Sequence, residues 1–130
     1  MIYNKSNLKI VSELIIDNLT ADLLPMKYRE ENKTNTTFGH CHTASACLQQ
    51  IFSSKELKLY RAIDYRGIMH WWCVDNDNDI IDLTIEQYTS IGKTPPYENG
   101  GKSNKLGFAY KERMNTLLER VCLELEIISA

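Results

Sequence analysis

The stretch Phe38–Phe52, "FGHCHTASACLQQIF", decides how the fold is interpreted, because it contains both a helix start and a reactive side chain. After Gly39 the apolar residues recur at intervals of three and four, which is the spacing of a buried helical stripe. Cys41 lies in the first turn of this predicted helix, between His40 and His42. Unpaired backbone N–H groups at a helix N-terminus favour a thiolate over a thiol. Cys41 is therefore a candidate nucleophile, a candidate metal ligand or a core residue.

The composition limits the class of protein. A chain of 130 residues with 43% hydrophobic side chains can form one compact domain with its own core, so we predict a single domain over residues 1–130. Fifteen basic and 17 acidic residues give a net charge of -2 without long runs of either sign, which argues against nucleic acid and membrane partners. The N-terminal residues do not show the charged, apolar and small-residue regions of a signal peptide, and no apolar run approaches about 18 residues. We expect a cytoplasmic protein with four reduced cysteines.

The flanking segments predict an α+β fold. Apolar periodicity indicates helices near both ends, and branched and aromatic residues between them indicate an antiparallel meander of three or more strands. Ser6 or Asn7 could cap the first helix. The predicted elements are one or two helices over 8–24, a polar loop over 28–37, the Cys41 helix, strands at 57–65, 68–74 and 79–83, a helical turn at 85–90, an irregular segment over 92–107 and a helix over 109–127.

A nucleophilic thiol needs a base, and the base needs an orienting group. His70 lies in the predicted strand "MHWWCV" and Asp82 in the next strand, "IIDLT", after a short Asp/Asn turn. A turn centred on Asp77 pairs His70 with a position near Thr84. Asp82 then becomes a diagonal neighbour, with β-carbons about 5 to 8 Å apart. The spacing therefore predicts that His70 and Asp82 meet on one face of the sheet.

Metal sites are the main alternative. A zinc ion could draw its ligands from the histidines and from the cysteines near them, but "HCHxxxxC" lacks any customary ligand spacing. The candidate ligands are His40, Cys41, His42, Cys47 and His70. Asp75, Asp77 and Asp79 alternate as in a calcium loop, but the glycine and distal glutamate of an EF-hand are missing, so a hairpin turn is favoured. We predict no metal and no cofactor, and we assign Cys47, Cys73 and Cys122 to apolar packing.

Three segments together resemble a known family. The segments "GHCHTAS", "HWWCV" and "IIDLT" place a cysteine at a helix start, then a histidine on a strand, then an aspartate on the next strand. This order resembles the core of papain-like and transglutaminase-like cysteine enzymes. The segments are also similar to small phage and bacterial proteins with a C-x-x-A-S helix start, an HWW strand and a D-P-T segment. Leu83 stands where the transglutaminase pattern has proline.

The resemblance implies a papain-like fold and a catalytic triad. Cys41 would be the nucleophile, His70 the general base and acid, and Asp82 the orienting carboxylate. The implied activity is that of a hydrolase or acyl transferase, acting on an amide, isopeptide or thioester bond of a protein or peptide-like substrate. The alternative is a phage-encoded binding or inhibitor protein that keeps the fold without turnover or holds a metal, and acts on a host partner.

Four further residues are candidates around the triad. Papain-like enzymes usually carry an oxyanion-binding glutamine before the cysteine, and this chain offers Asn35 or backbone N–H groups in that place. We predict that His42, Trp72 and Tyr97 contact the substrate. Tyr97 belongs to the segment 92–107, whose length without regular pattern is typical of a functional loop, so we expect this segment to border the cleft.

Overall fold

A computed structural model describes residues 1–103 and 108–129, and their helices and strands form an α+β fold. Among the described helices, none combines the length and the apolar character needed to cross a bilayer. The helices are α1 Lys5–Asp17, α2 Met26–Asn32, α3 Cys41–Phe52, α4 Glu86–Thr89 and α5 Phe108–Ser129. The strands are β1 Leu57–Ile63, β2 Met69–Asp75, β3 Ile80–Ile81 and β4 Gly101–Lys102, and 3₁₀ turns cover Ala21–Leu23 and Tyr97–Asn99.

The four strands form one antiparallel sheet in the order β3-β2-β1-β4. Cys73 pairs with Ile81 across the β2–β3 hairpin, which confirms the register predicted from the short turn. Within the turn, Asp75 Oδ1 accepts backbone N–H groups from Asp77 at 3.0 Å and Asp79 at 2.9 Å. The predicted hairpin turn is therefore confirmed, and the Asp75 side chain stabilises its backbone.

The two faces of the sheet have different surroundings, because successive side chains of a strand point to opposite sides. Trp71 and Cys73 of β2 belong to the apolar core that includes residues of α3. His70 and Trp72 alternate with them, and the segment that follows β3 packs against these two. Tyr88 meets the His70 ring at 4.7 Å between centroids, and Tyr97 meets Trp72 at 5.1 Å. One face of the sheet is thus apolar core and the other holds a buried histidine.

Helix α3 is the centre of the core. It packs against β1, β2, α1 and α5, and every residue from Cys41 to Leu48 is buried. Full burial of a large aliphatic side chain contributes about 1.5 to 3 kcal/mol, so this helix anchors the fold. Cys47 lies in its interior, and burial raises the pKa of this thiol to about 12, in keeping with a packing role.

Helix α5 places Cys122 differently from the prediction. Met114, Leu117 and Val121 face the core, at the spacing of one helical stripe. Cys122 follows Val121 by one residue, which turns it about 100° around the helix, and its side chain is exposed. The assignment of Cys122 to an apolar face is therefore wrong.

Two predicted irregular segments contain regular structure. Residues 28–37 are not a loop throughout, because α2 starts behind Pro25 and runs to Asn32, whose amide then donates to the carbonyls of Thr36 and Phe38 at 3.0 Å. In the segment 92–107, β4 pairs with β1, and residues 104–107 lie outside the described chain. Helix α1 is capped by Asn4, whose side chain accepts the Asn7 N–H at 2.8 Å, so neither Ser6 nor Asn7 is the cap.

Candidate active site

Cys41 is held at the start of α3 by the conformation of the residue two positions before it. Gly39 adopts φ +86°, and a β-carbon at this position would lie 2.8 Å from Leu24 Cδ2, so both the backbone and the packing favour glycine. The Cys41 side chain is 7% exposed, and its Sγ lies 3.7 Å from the carbonyl oxygen of Met69. The thiol therefore lies where the helix N-terminus meets strand β2, as predicted.

His70 and Asp82 form a short, buried hydrogen bond. The distance from His70 Nε2 to Asp82 Oδ2 is 2.6 Å, and the two side chains are 0% and 2% exposed. The other carboxylate oxygen of Asp82 accepts the backbone N–H of Thr84 at 3.1 Å. Tyr97 donates its hydroxyl to Asp82 Oδ2 at 2.7 Å. Partners on both oxygens fix the orientation of the carboxylate, and so fix the ring of His70.

The Cys41 thiol and the His70 ring also interact. Burial opposes the charged form of His70, but hydrogen bonds with Asp82 and with Cys41 outweigh burial and raise the pKa of His70 to about 9. At neutral pH the imidazolium is therefore the favoured form. The structure thus brings together the three residues that the sequence singled out, in the order thiol, imidazole, carboxylate.

Gln87 is a site residue that the sequence reasoning missed. It lies on α4, in the stretch predicted only as a helical turn, and its side chain is 7% exposed. Its Nε2 donates to Thr84 Oγ1 at 2.9 Å and lies 3.3 Å from His70 Nδ1. The one available signal was its position three residues after Thr84, at the start of a helix that follows Asp82.

Asn35 forms a hydrogen bond with the backbone of Gln87. Its Nδ2 donates to the backbone carbonyl of Gln87 at 2.9 Å, and both side chains are buried. Gln87 is part of the wall of the cleft that contains Cys41, whereas Asn35 is not part of that wall. The role of Asn35 as an oxyanion donor stays a prediction, and the structure gives it a contact that holds α4 in place.

A small cleft of about 60 Å³ opens beside Cys41. Half of its lining residues carry an aromatic ring, among them His42, whose ring stacks on Trp71 at 3.7 Å with an interplanar angle of 1°. The lining residues are Tyr28, Phe38, Gly39, Cys41, His42, Ile68, Met69, Trp71, Gln87 and Tyr110. The structure therefore places His42 at a position from which it can contact a substrate.

Trp72 and Tyr97 are not in this wall, and their roles in substrate contact stay predictions. Trp72 is 1% exposed, stacks on His70 at 5.6 Å and lies so close to Gly100 that a β-carbon there would be 2.5 Å from Cζ2. The Tyr97 hydroxyl is bonded to Asp82. The described part of the segment 92–107 thus covers the buried side of the histidine, because its glycine and tyrosine pack there instead of at the cleft.

The histidines and cysteines considered for zinc do not converge. Within residues 1–103 and 108–129, the one group of three side chains whose ligand atoms lie within 4.8 Å of one another is Asp75, Asp77 and Asp79 at the hairpin turn. His40 is 0% exposed, and neither of its ring nitrogens has a hydrogen-bond partner among the described residues. Burial lowers the pKa of His40 to about 4, so its ring is neutral.

Comparison with known proteins finds no matching family model, no matching curated protein and no matching solved structure. The chemistry of the site is therefore the guide to its function. That chemistry consists of a thiol at a helix N-terminus, an imidazole bonded to a fixed carboxylate, a buried amide beside the imidazole, and a narrow cleft at the sulfur.

Proposed function

We propose that this chain is a cysteine-dependent hydrolase or acyl transferase with a papain-like or transglutaminase-like fold. Its substrate would be an amide, isopeptide or thioester carbonyl in a protein or peptide-like molecule. The observation that carries the proposal is the 2.6 Å bond from His70 to Asp82, combined with the interaction of the same imidazole with Cys41.

In the acylation step, the Cys41 thiolate attacks the carbonyl carbon and forms a C–S bond, while the carbonyl electron pair moves to oxygen. Collapse of this intermediate breaks the bond to the leaving amine or thiol, which takes its proton from the His70 imidazolium. The products of this step are a thioester on Cys41, a neutral His70 and the free leaving group. The raised pKa of His70 suits this starting state, because it keeps the proton on the imidazole before attack.

In the deacylation step, water or an amine gives a proton to neutral His70 and attacks the thioester carbonyl. The C–S bond then breaks and the sulfur leaves as thiolate, which restores the initial thiolate and imidazolium. Water as acceptor makes the enzyme a hydrolase, and an amine makes it a transferase. Asp82 stabilises the imidazolium by accepting the Nε2 proton.

Negative charge on the substrate oxygen needs hydrogen-bond donors. The first-turn backbone N–H groups of α3 have no partners within the helix, and they lie next to Cys41. The Gln87 amide is the second candidate, since it is buried in the cleft wall beside His70. We assign oxyanion stabilisation to these groups.

The decisive experiment compares the four thiols under alkylation. We expect iodoacetamide at about pH 7 to modify Cys41 faster than the exposed Cys122, because the His70 imidazole interacts with the Cys41 sulfur. Mass spectrometry of peptides reports each site, and His70→Ala should abolish the preference for Cys41. Lys9→Gln, on the exposed side of α1, is the matched control.

A chromogenic peptide thioester then tests turnover, and an acyl adduct on Cys41 should appear in intact-mass spectra. Preferential labelling of Cys122, together with a rate at Cys41 that does not respond to His70→Ala, would instead identify a core thiol in a binding or inhibitor protein.

A further inference from the structure

Every tyrosine, phenylalanine and tryptophan that lines the cleft has a lysine or arginine cation over its ring. The pairs, with distances to the ring centroid, are Lys27 over Tyr28 at 5.0 Å, Arg66 over Phe38 at 5.0 Å, Arg61 over Trp71 at 5.4 Å and Arg113 over Tyr110 at 5.4 Å. None of the residues that line the cleft is an aspartate or a glutamate. The cleft wall therefore carries no carboxylate of its own, and cations lie against four of its rings.

Two of these cations are arginines that form no ion pair with a described carboxylate, and Lys27 is a third cation that forms none. Arg66 forms a bidentate pair with Glu31, with both N–O distances at 2.9 Å, so its charge is balanced. Within residues 1–103 and 108–129, no carboxylate lies within ion-pairing distance of Arg61 or Arg113. A guanidinium without an internal carboxylate can bind one from a partner in bidentate geometry.

Arg61 and Arg113 stand at the two ends of one stack of rings. Between them the His42 ring lies 3.7 Å from that of Trp71 and 4.3 Å from that of Tyr110. The three rings line the cleft, and the two guanidinium groups lie against the outer two of these rings. Stacking also restricts the arginine side chains, which lowers the entropy lost when they bind a carboxylate.

The positive charge is local, because the chain as a whole has a net charge of -2. The clustered aspartates lie at the β2–β3 turn, at the opposite end of β2 from Met69, which lines the cleft. A local field of this kind attracts anionic partners and selects against cationic ones. The small cleft volume, about 60 Å³, admits one slender group, so much of the binding energy has to come from the rim.

We propose that the cleft selects an acidic peptide as acyl donor. One slender acyl group enters towards Cys41, and carboxylates on neighbouring residues of the peptide pair with Arg61 and Arg113. The inference rests on the proposed function for the fate of the acyl group, but the charge selection itself is a property of the rim and can be measured without turnover.

A pair of alkylating reagents tests the charge at Cys41. Iodoacetate is anionic and iodoacetamide is neutral, so the ratio of their rates at Cys41 reports the local potential and cancels the nucleophilicity of the thiol. We expect the ratio to fall about threefold to tenfold in Arg61→Gln/Arg113→Gln and to fall with added salt in the wild type. Arg61→Lys, which keeps the charge, and Lys9→Gln, which removes a remote charge, should both keep the wild-type ratio. An equal fall in Lys9→Gln, or no response to salt, would overturn the proposal.

Peptide binding tests the class of donor. Three fluorescent peptides of equal length would carry a central glutamine flanked by glutamates, serines or lysines, and fluorescence polarisation would measure their binding to Cys41→Ala. We expect the acidic peptide to bind at least about tenfold more tightly than the neutral one at low salt. Equal binding of the three peptides would overturn the proposal while leaving the thiol chemistry intact. Tight binding of the acidic peptide to a chain whose Cys41 proves unreactive would keep the charge selection and remove the proposed function.

Discussion

His40 and His70 are both 0% exposed, and each is a neighbour of Cys41, the first along the chain and the second in space. His40 precedes Cys41 at the start of α3, whereas His70 reaches Cys41 from strand β2. Burial lowers the pKa of His40 to about 4, because its ring lacks a hydrogen-bond partner among the described residues. For His70 burial acts in the same sense, but the bonds with Asp82 and Cys41 raise the pKa to about 9. Partners, not burial, decide which ring is charged.

The largest expected effect is the difference between the two histidines in their influence on the alkylation rate of Cys41. His70→Ala removes the imidazole that interacts with the Cys41 sulfur, so the rate of alkylation of Cys41 at neutral pH should fall about hundredfold or more. His40→Leu should change this rate by less than about threefold, since a neutral ring contributes little charge at the sulfur. Rates per folded molecule, measured by mass spectrometry, check both values. Comparable losses in the two variants would break the contrast.

The second effect tests the carboxylate. Asp82→Asn keeps the shape of the side chain but removes the negative partner of His70, so turnover and Cys41 alkylation at neutral pH should fall at least about tenfold. The pH dependence of the alkylation rate should change as well, because the bond that raises the pKa of His70 is weakened. Asp79→Asn at the exposed turn is a control of the same type, and it should keep the wild-type profile.

The third effect concerns the free energy of unfolding, to which His70 and His40 should contribute with opposite pH dependence. The pKa of His70 is about 9 when folded against 6.5 as its ordinary value, so its stabilisation is complete below 6.5 and is lost as pH rises through 9. The destabilisation caused by Asp82→Asn should therefore be greatest below 6.5 and shrink as pH approaches 9. Urea unfolding at a series of pH values checks this, and a constant difference would contradict the charged state of His70.

His40 should give the reverse slope. Its pKa of about 4 when folded lies below its ordinary 6.5, so the unfolded chain binds more protons between these values. Stability should fall by up to about 3 kcal/mol as pH decreases through this window. His40→Leu should remove this acid-dependent loss, and the same urea titrations measure it. A slope that persists in His40→Leu would assign the loss to another group.

The smallest effect concerns the support of the carboxylate. Tyr97→Phe removes the hydroxyl that donates to Asp82 Oδ2, while Thr84 N–H and His70 still bind the carboxylate. The free energy of unfolding should decrease by about 1 to 2 kcal/mol, and Cys41 alkylation should slow by less than about tenfold. Thermal unfolding and alkylation rates measure the two quantities. A loss as large as that of Asp82→Asn would give Tyr97 a larger share in orienting His70.

The parts of the site that were predictable depend on short-range rules. The turn after β2 is short, so its centre determines which residues of β2 and β3 face each other, and the observed pairing of Cys73 with Ile81 follows from it. The position of Cys41 follows equally from a glycine just before a periodic apolar segment. Both inferences span few residues, and both place their residue correctly.

The parts that were missed depend on contacts between distant segments. Asn35 bonds to Gln87 across 52 positions of the chain, and Tyr97 reaches Asp82 by folding its loop over Trp72. No periodicity marks such pairs, since each is decided by how α4 and the loop pack on the sheet. The polar composition of the α2 region likewise suggested a loop, although Pro25 is compatible with a helix start at Met26. Long-range packing thus accounts for Gln87 and for the burial of Trp72.

The β2–β3 hairpin register restricts the chain in a way that substitutions cannot reveal. Asp82 follows β3 directly. Its carboxylate contacts His70 because the turn at Asn76–Asn78 has its present length. Inserting or deleting one residue there would rotate every following position of the strand to the opposite face, and would direct the carboxylate into the apolar core. Related sequences that keep the chemistry should therefore vary in the amino acids of this turn while conserving its length.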